Sequence, residues 1–326
     1  MKKITGYRNF GLLVGLVVLL IVAAVFTPTL FSANAIISML RNNAVYVFLG
    51  IGMMVVIITG GIDLSVGATL ALSGVVCTSL MSSHQEIPSI VWVLLSMLIG
   101  LACGAFNGLV VGYLKVTPMI ATLGTMYIYR GLAFLASGGN WWFPHQITES
   151  YQSWASKYIL GIPSILWISA LVFILAAWFL NFRTGGRRIY AIGTSVESAQ
   201  VAGIKEARVR LSAFVISGVL AGLAGMLFVA NYATCSYNIG DGYELQAVAI
   251  CILGGVSIRG GRGTVDGVFI GWLLMSVITQ FISMLPGLSV WQKFLQGGII
   301  IVAVVINIMM TLSSEKRFLK ERGALL

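Results

Sequence analysis

Long apolar stretches alternate with short polar ones along nearly the whole chain. Many of these stretches approach the ~20 residues with which a helix crosses a bilayer. The pattern predicts ten transmembrane helices, at about residues 10–31, 36–59, 66–82, 89–114, 118–136, 163–182, 211–231, 244–257, 267–285 and 291–312. We therefore expect an all-α, polytopic membrane protein with irregular, glycine-rich segments, forming one domain over residues 1–326.

Composition agrees with a membrane protein and excludes an ordinary soluble domain. Of the 326 residues, 58% are hydrophobic and only 9% are charged, whereas soluble domains carry about 25% charged residues. The four cysteines have no metal-ligand spacing, and the two histidines lie on short polar stretches. We expect no metal site and no cofactor.

The basic residues fall in clusters, which predict the topology. Three lie at the start of the chain, six between Arg183 and Arg210, and four in the tail, giving most of the net charge of +10. Because basic clusters on short loops mark the cytoplasmic side, both termini and loop 183–210 are predicted to be cytoplasmic. Loop 137–161 has one basic residue, Lys157, and is predicted to be periplasmic. No motif indicates binding to nucleic acid.

The stretch GGIDLSVG at residues 60–67 interrupts two apolar stretches. Irregular backbone at membrane depth is tolerated only where protein buries it or where it lines a water cavity. Gly60 and Gly61 allow backbone angles that other residues resist, and Asp63 would cost roughly 2.5–3.5 kcal/mol at a helix centre in lipid. Two placements remain for this carboxylate: on the free amide of Ser65 or Val66, capping the next helix, or along a translocation path.

Other polar side chains within the apolar stretches are further candidates for a path. Tyr243 and Glu244 begin the predicted eighth helix, and Asn107 and Thr125 offer neutral partners to a polar ligand. The alternative for each of them, and for Ser65, is a hydrogen bond between helices.

Loop 183–210 contains the pattern of a short capped helix. Thr194 and Glu197 have the spacing of a capping box, and Gly203 suits the left-handed position after a helix end. About two turns fit between them, from residue 195 to residue 202, which is too short for a helix that stands alone in water. Small side chains, Ser198, Ala199 and Ala202, are expected on its exposed surface. The helix either docks on a cytoplasmic partner or rests on its own bundle.

Five motifs in order give a resemblance to a known family. They are GGIDLSVG at 60–67, PMIATLGTM at 118–126, GRRIYAIG at 186–193, GYELQAVA at 242–249 and LGGVSIRGGRGT at 253–264. Together they resemble the permease subunit of bacterial ATP-binding-cassette sugar importers of the ribose type. The resemblance covers nearly the whole chain.

The resemblance implies a fold like that of type II ATP-binding-cassette importers and a set of partners. Two permease subunits, identical or related, would pair in the inner membrane, and a cytoplasmic ATPase would dock on the helix at 194–203. A periplasmic binding protein would deliver a monosaccharide, or in one branch a furanosyl quorum signal. The family often has Gly-Gly-Asn before the docking helix, where this chain has Gly193-Thr194-Ser195.

The sequence leaves rival classes of function open. The chain has no G-x-x-x-x-G-K-[ST] phosphate loop, so an ATPase must be a separate subunit. It also has no nucleophile elbow, metal cluster or carboxylate pair that would indicate an enzyme. An ion-coupled sugar carrier and a membrane protein without transport activity remain as alternatives. The few charges within the spans favour an external energy source.

Overall fold

The computed structural model describes residues 10–285, together with Gly287, Trp291, Phe294, Gly297, Gly298, Ile301 and Val305. Thirteen α-helices lie in the described residues: α1 Phe10–Phe26, α2 Ala33–Asn43, α3 Val45–Ile58, α4 Val66–Ser83, α5 Ser89–Gly112, α6 Pro118–Ser137, α7 Glu149–Ser156, α8 Ser164–Phe182, α9 Thr184–Thr194, α10 Val196–Val201, α11 Glu206–Tyr232, α12 Tyr243–Leu253 and α13 Val265–Met284. Two 3-10 turns, Pro28–Phe31 and Pro144–Gln146, and a hairpin of β1 (Tyr158–Ile159) and β2 (Ile162–Pro163) complete the fold.

Six of these helices are long and apolar enough to cross a bilayer: α4, α5, α6, α8, α11 and α13. The pair α2 and α3 would make a seventh span with a bend of 45°. Apolar helices α1 and α12 are shorter, and the predicted tenth helix at 291–312 lies outside the continuously described residues. The predicted all-α, multi-pass membrane fold is confirmed, whereas the count of ten spans is not.

The single helix predicted at 36–59 is wrong, because the chain bends between α2 and α3. Arg41 lies just before the bend and donates from Nε to Asn231 Oδ1 (2.6 Å) and from Nη2 to the Asn231 carbonyl (3.2 Å). The Asn43 carbonyl accepts a hydrogen bond of 2.8 Å from the Trp272 indole. A half-buried cation and a helix-end carbonyl therefore find partners on α11 and α13 at the bend.

Two connecting segments contain more helix than predicted. Within 183–210 only a short helix at about 195–202 was predicted, whereas the structure has α9, α10 and the start of α11, which begins at Glu206 rather than near residue 211. Segment 137–161 contains α7, which buries Tyr151 completely, and Trp142 donates from its indole to Ser82 Oγ (3.2 Å). Both segments pack on the bundle. The polar sequence of each segment does not predict this packing.

The bundle has a clear interior and a clear surface. In α3 every residue except Tyr46 is buried. In α8 only Ser164, Ile165, Ser169 and Leu180 are buried. The exposed side of α8 carries an apolar stripe at helical spacing: Trp167, Leu171, Ile174, Leu175, Trp178 and Phe182. Helix α3 is therefore interior, and α8 lies at the surface that lipid covers.

Helices α5 and α11 cross at backbone contact because glycines line the crossing. On α5 a glycine recurs every fourth residue, at Gly100, Gly104, Gly108 and Gly112. A Cβ at Gly100 would overlap the Gly218 carbonyl oxygen, and one at Gly222 would overlap the carbonyl oxygen of residue 96. Small residues at this spacing allow close packing of membrane helices.

The connecting segments gather at two ends of the bundle. At one end, which we call the basic end, Gly193 packs against Ile58 and Gly261, and Gly112 packs against Ala207. At the other, the loop end, Trp142 pairs with Cys235, and the Trp154 indole donates to Ser89 Oγ (3.0 Å). The segments predicted to share a side of the membrane thus meet at the same end.

We expect Gly218→Val to destabilise the protein strongly, because its side chain would overlap the backbone of α5. Overpacking in a well-packed core costs about 1–3 kcal/mol, and a backbone neighbour yields less than a side chain does. The measurement is the melting temperature in detergent together with the fraction of monodisperse protein. Gly124→Val on α6 is the matched control, since a Cβ there has no atom within 4 Å. Equal melting temperatures for the two variants would contradict the glycine-mediated crossing.

Candidate functional site

The glycine stretch after α3 begins a tight break, which runs from exposed Gly60 at the basic end to buried Asp63 and Ser65 inside the bundle. Gly60 has φ +83°, which favours glycine, and its amide donates to the Ile57 carbonyl (2.9 Å). Gly61 has no positive φ; a Cβ there would lie 3.3 Å from the Pro118 side chain. Only Gly60 therefore uses the backbone freedom expected of both glycines, and Gly61 permits a close approach by α6.

Asp63 lies just before α4 and is 1% exposed. Its Oδ1 accepts hydrogen bonds from the Ser65 amide (3.0 Å) and the Ser65 hydroxyl (2.7 Å). Its Oδ2 accepts from the Ser217 hydroxyl on α11 (3.0 Å). The carboxylate therefore satisfies a free amide at the positive end of α4, as the first of the two predicted placements requires.

The same carboxylate belongs to a buried polar cluster that joins four helices. Ser65 Oγ also accepts from Asn107 Nδ2 (2.7 Å), and Asn107 Oδ1 accepts from the Tyr129 hydroxyl (3.2 Å). We define the buried polar cluster as Asp63, Ser65, Asn107, Tyr129 and Ser217, none of which is more than 5% exposed. In this conformation the cluster is closed to solvent and connects α4, α5, α6 and α11.

Thr125 is not part of this cluster. It is 4% exposed, and its hydroxyl donates to the Thr122 carbonyl (3.2 Å). The Thr122 hydroxyl in turn accepts from the Leu64 amide (3.0 Å). Thr122, one turn earlier on α6, is therefore the threonine that contacts the break before α4.

A second irregular segment, residues 233–242, enters the bundle from the loop end. Cys235 pairs with Trp142 at that end, whereas Gly240 packs against Gly67 at the start of α4. Helix α12 then begins inside the bundle; its 11 residues extend about 16 Å, roughly half the ~30 Å hydrocarbon thickness.

Arg130 on α6 anchors this segment. Its Nη1 donates to the Tyr237 carbonyl (2.8 Å) and to the Ile239 carbonyl (2.7 Å). The two carbonyls have no regular helix to satisfy them, so the guanidinium takes that role. Sequence reasoning missed this residue: a lone cation in an apolar helix is a signal that could have found it, but its partners lie more than 100 residues away along the chain.

Tyr243 and Glu244 lie where α12 begins. The Tyr243 ring packs against Tyr46, with centroids 4.6 Å apart. Glu244 Oε2 lies so close to Gly67 that a Cβ there would overlap it. Among the described residues this buried oxygen has no hydrogen-bond partner. The starts of α4 and α12 thus meet beside a carboxylate oxygen that can still accept a hydrogen bond.

The predicted capping box at Thr194 is wrong by one residue. Ser195 caps α10, and its Oγ accepts from the Ser198 amide (3.1 Å). Thr194 belongs to the last turn of α9, where its hydroxyl donates to the Tyr190 carbonyl (2.8 Å). Because α9 continues to Thr194, α10 begins later and has six residues, Val196–Val201.

The other end of α10 agrees with the sequence. Gly203 has φ +78°, and its amide donates to the Gln200 carbonyl (2.9 Å). The Ile204 amide donates to the Ala199 carbonyl (2.9 Å). These two bonds form a Schellman motif, so the helix has a defined stop despite its length.

Glu197 is exposed on the first turn of α10. Hydrogen bonds from its own backbone amide and from the Ser195 hydroxyl (3.0 Å) lower the pKa of the Glu197 carboxyl. A negative charge at a helix start is favourable, and the lowered pKa of the Glu197 carboxyl extends that charge to more acidic pH.

The exposed surface of α10 differs from the expected one. Ser198 and Ala202 are exposed as predicted, but Ala199 is buried, with 4% exposure. Val201 is 92% exposed, and the sequence analysis missed it. In so short a helix, the exact start of the helix decides which side chains face outward. Helix α10 therefore rests on the bundle through Ala199 and presents Val201 to its surroundings.

A family model described as the permease component of a branched-chain amino acid transport system matches residues 35–304. The chain belongs to this family of membrane permeases, which confirms the resemblance found in its motifs.

Three relatives cover nearly the full chain. The ribose import permease of Haemophilus influenzae is 33% identical over 299 residues, 90% of each chain, and that of Bacillus subtilis is 34% identical over 301 residues, 92% of each. The autoinducer 2 import system permease of Salmonella paratyphi B is 30% identical over 307 residues, 94% of this chain and 88% of its own. These relatives are transporter subunits rather than enzymes. No solved structure matches the chain significantly.

We expect Asp63→Asn to retain most of the stability, because an asparagine oxygen can accept both Ser65 bonds and its amide can donate to Ser217. Asp63→Leu should destabilise the protein strongly, since each buried polar group left without a partner costs about 1–3 kcal/mol. The check is the melting temperature of both variants in one detergent. Comparable losses would show that the hydrogen bonds of this carboxylate do not hold the break in place.

Proposed function

We propose that this chain is the transmembrane subunit of an ATP-binding-cassette importer, which carries a monosaccharide across the bacterial inner membrane. The observation that carries the proposal is α10, a helix with a cap at its start and a defined stop at its end. It lies at the basic end and exposes Val201 almost completely. The names of the relatives, which are import permeases for ribose and autoinducer 2, support the same function.

The charge distribution supports the proposed orientation, with both termini cytoplasmic. The segments that meet at the basic end carry most of the basic residues between the helices. These are Lys115, Arg259, Arg262 and the six basic residues of 183–210. The positive-inside rule places such an end in the cytoplasm. Segment 183–210 is then the cytoplasmic coupling loop and segment 137–161 is periplasmic, within a single permease domain.

A separate ATPase subunit would dock at α10. Beside this helix lies a groove of about 440 Å³, lined by Lys115, Gln200, Gly203 and Lys205 among others. The groove also contains Glu206, and Val201 is exposed on α10 itself. A partner surface with an apolar pocket for Val201 and charged groups of both signs at its rim would fit this face. The residues that would shape this contact are Thr194, Glu197, Ser198, Ala199, Ala202 and Gly203. Of these, Ala199 is buried and would act only from within the fold.

The path for the sugar would pass the meeting point of α4 and α12. The unpartnered Glu244 Oε2 can accept a sugar hydroxyl, and Tyr243 offers an aromatic face. The buried polar cluster, with Gly60 and Gly61, would hold the break before α4, and Thr125 would serve packing.

A second permease subunit would complete the path, and a periplasmic binding protein would deliver the ligand. Ribose or a furanosyl signal such as autoinducer 2 fits the relatives' names.

One observation favours the ion-coupled carrier as a second candidate. Asp63 and Glu244 both carry carboxylates inside the bundle, and carriers coupled to ions use such groups on their path. The energy source separates the two candidates.

We expect uptake of ribose into proteoliposomes to require the ATPase subunit, the binding protein and ATP, and to persist when a protonophore collapses the proton gradient. The reason is that α10 offers a capped, exposed docking helix to a separate ATPase. In addition, Asp63 already accepts three hydrogen bonds, from the Ser65 amide, the Ser65 hydroxyl and the Ser217 hydroxyl. Uptake that continues without ATP and stops with the protonophore would instead establish the ion-coupled carrier.

We expect Val201→Arg to reduce ATP-driven uptake at least tenfold and to abolish co-purification of the ATPase, because the guanidinium would be desolvated in an apolar contact. Val201→Ile is the matched control and should retain both, since it keeps an apolar side chain. Both variants should melt like the wild type, because the side chain touches little of the bundle. Full uptake by Val201→Arg would remove α10 from the coupling mechanism.

A further inference from the structure

The hairpin before α8 has a tight turn with unusual side chains. Tyr158 pairs with Pro163, and Ile159 pairs with Ile162, which leaves Leu160 and Gly161 as the two turn residues. Both have positive φ, +52° and +78°, as a type I′ turn requires. Asn, Asp or Gly is strongly preferred in such turns, yet Leu160 occupies the first position.

The hairpin exposes apolar side chains on both of its faces. Tyr158 is 58% exposed, Ile159 45%, Leu160 88% and Ile162 38%. Four neighbouring side chains of this size form a contiguous patch, and such a patch at the surface marks contact with another apolar phase.

The patch is continuous with the lipid-facing stripe of α8. Trp167, the first residue of that stripe, donates from its indole to the Ile159 carbonyl (3.1 Å). The hairpin therefore lies beside the first turn of α8 instead of projecting beyond it. At the other end of α8 the Arg183 guanidinium lies 4.1 Å from the centroid of the Trp178 ring.

The length of α8 sets the depth of the hairpin. Its 19 residues extend about 28 Å at 1.5 Å per residue, which matches a hydrocarbon core of ~30 Å. Tryptophans near both helix ends fit the aromatic belts of the two interfaces. The first turn of α8, and the hairpin with it, is then level with the boundary between headgroups and acyl chains.

We propose that the hairpin Tyr158–Pro163 is an interfacial membrane anchor that inserts Leu160 among the lipids of the leaflet at the loop end. The apolar side chains contact acyl chains, and exposed Lys157, which precedes the hairpin, reaches the phosphates. The anchor holds the loop end, including α7, at a fixed depth. It depends only on the membrane fold and is independent of the transported ligand.

The test uses single-cysteine reporters labelled with bimane in the full chain reconstituted in liposomes. The four native cysteines are buried, so Leu160→Cys and Tyr158→Cys are labelled selectively. Glu149→Cys is the matched control, because it is exposed on α7 at the same end. Quenching is measured with lipids that carry a nitroxide at a shallow or a deep acyl position, and with aqueous iodide.

We expect the two hairpin labels to be quenched at least threefold more by shallow nitroxide lipids than the Glu149 label, and at least threefold less by iodide. Tyr158→Cys provides a reporter that does not need a positive φ, should Leu160→Cys fold poorly. Quenching of the hairpin labels by iodide alone would place the hairpin in water. Protection from both quenchers would place it against protein, such as a second copy. Either result overturns the proposal.

Discussion

Within a bilayer, every backbone amide and carbonyl must find its partner inside the protein. In this fold the requirement is hardest to meet where the helices break, because the backbone groups there have no partner within a helix. The chain stops being helical between α3 and α4 and again before α12. Asp63 satisfies the amide at the start of α4, and Arg130 satisfies two carbonyls of the re-entrant segment. These two interior charges are thus tied to irregular backbone, which accounts for their positions in so apolar a chain.

These breaks bring polar groups together only because the surrounding helices pack at backbone distance. Gly225 on α11 lies against the Leu70 carbonyl of α4, and Gly52 on α3 lies against Ser217. Ser217 on α11 thereby comes within hydrogen-bond reach of Asp63. Gly67 does the same for the start of α12, because any side chain there would displace Glu244 or Gly240. The glycine content of this chain therefore determines the geometry of the polar interior.

Apolar length predicted the fold class and most span positions, because burial in lipid depends on local composition, and the preference of proline for a first helical turn predicted the start of α6 at Pro118. It did not predict the bend at residue 44, since that bend depends on Asn231, which lies 190 residues from Arg41. Likewise, the bond from Asp63 to the Ser65 amide was predictable from their spacing, whereas its bond to Ser217 was not. At α10 the stop at Gly203 followed from local chemistry. The helix cap is Ser195 rather than Thr194, because α9 extends to Thr194. The length of α9 depends on its tertiary packing against α3, which the local sequence does not show.

The contacts at the basic end connect helix α10 to the break at Gly60. Helix α9 leads into α10, and its Gly193 packs against the Ile58 carbonyl at the end of α3. The same carbonyl accepts a hydrogen bond of 2.9 Å from the Gly261 amide. Gly193 and Gly261 therefore both contact Ile58, which is two residues before Gly60 in the chain. Under the proposed docking, a push on α10 would reach the Gly60 break through these rigid backbone contacts, with no flexible side chain between them. Backbone contact leaves little room for either segment to move alone, so α9, the end of α3 and the 255–264 segment would shift together.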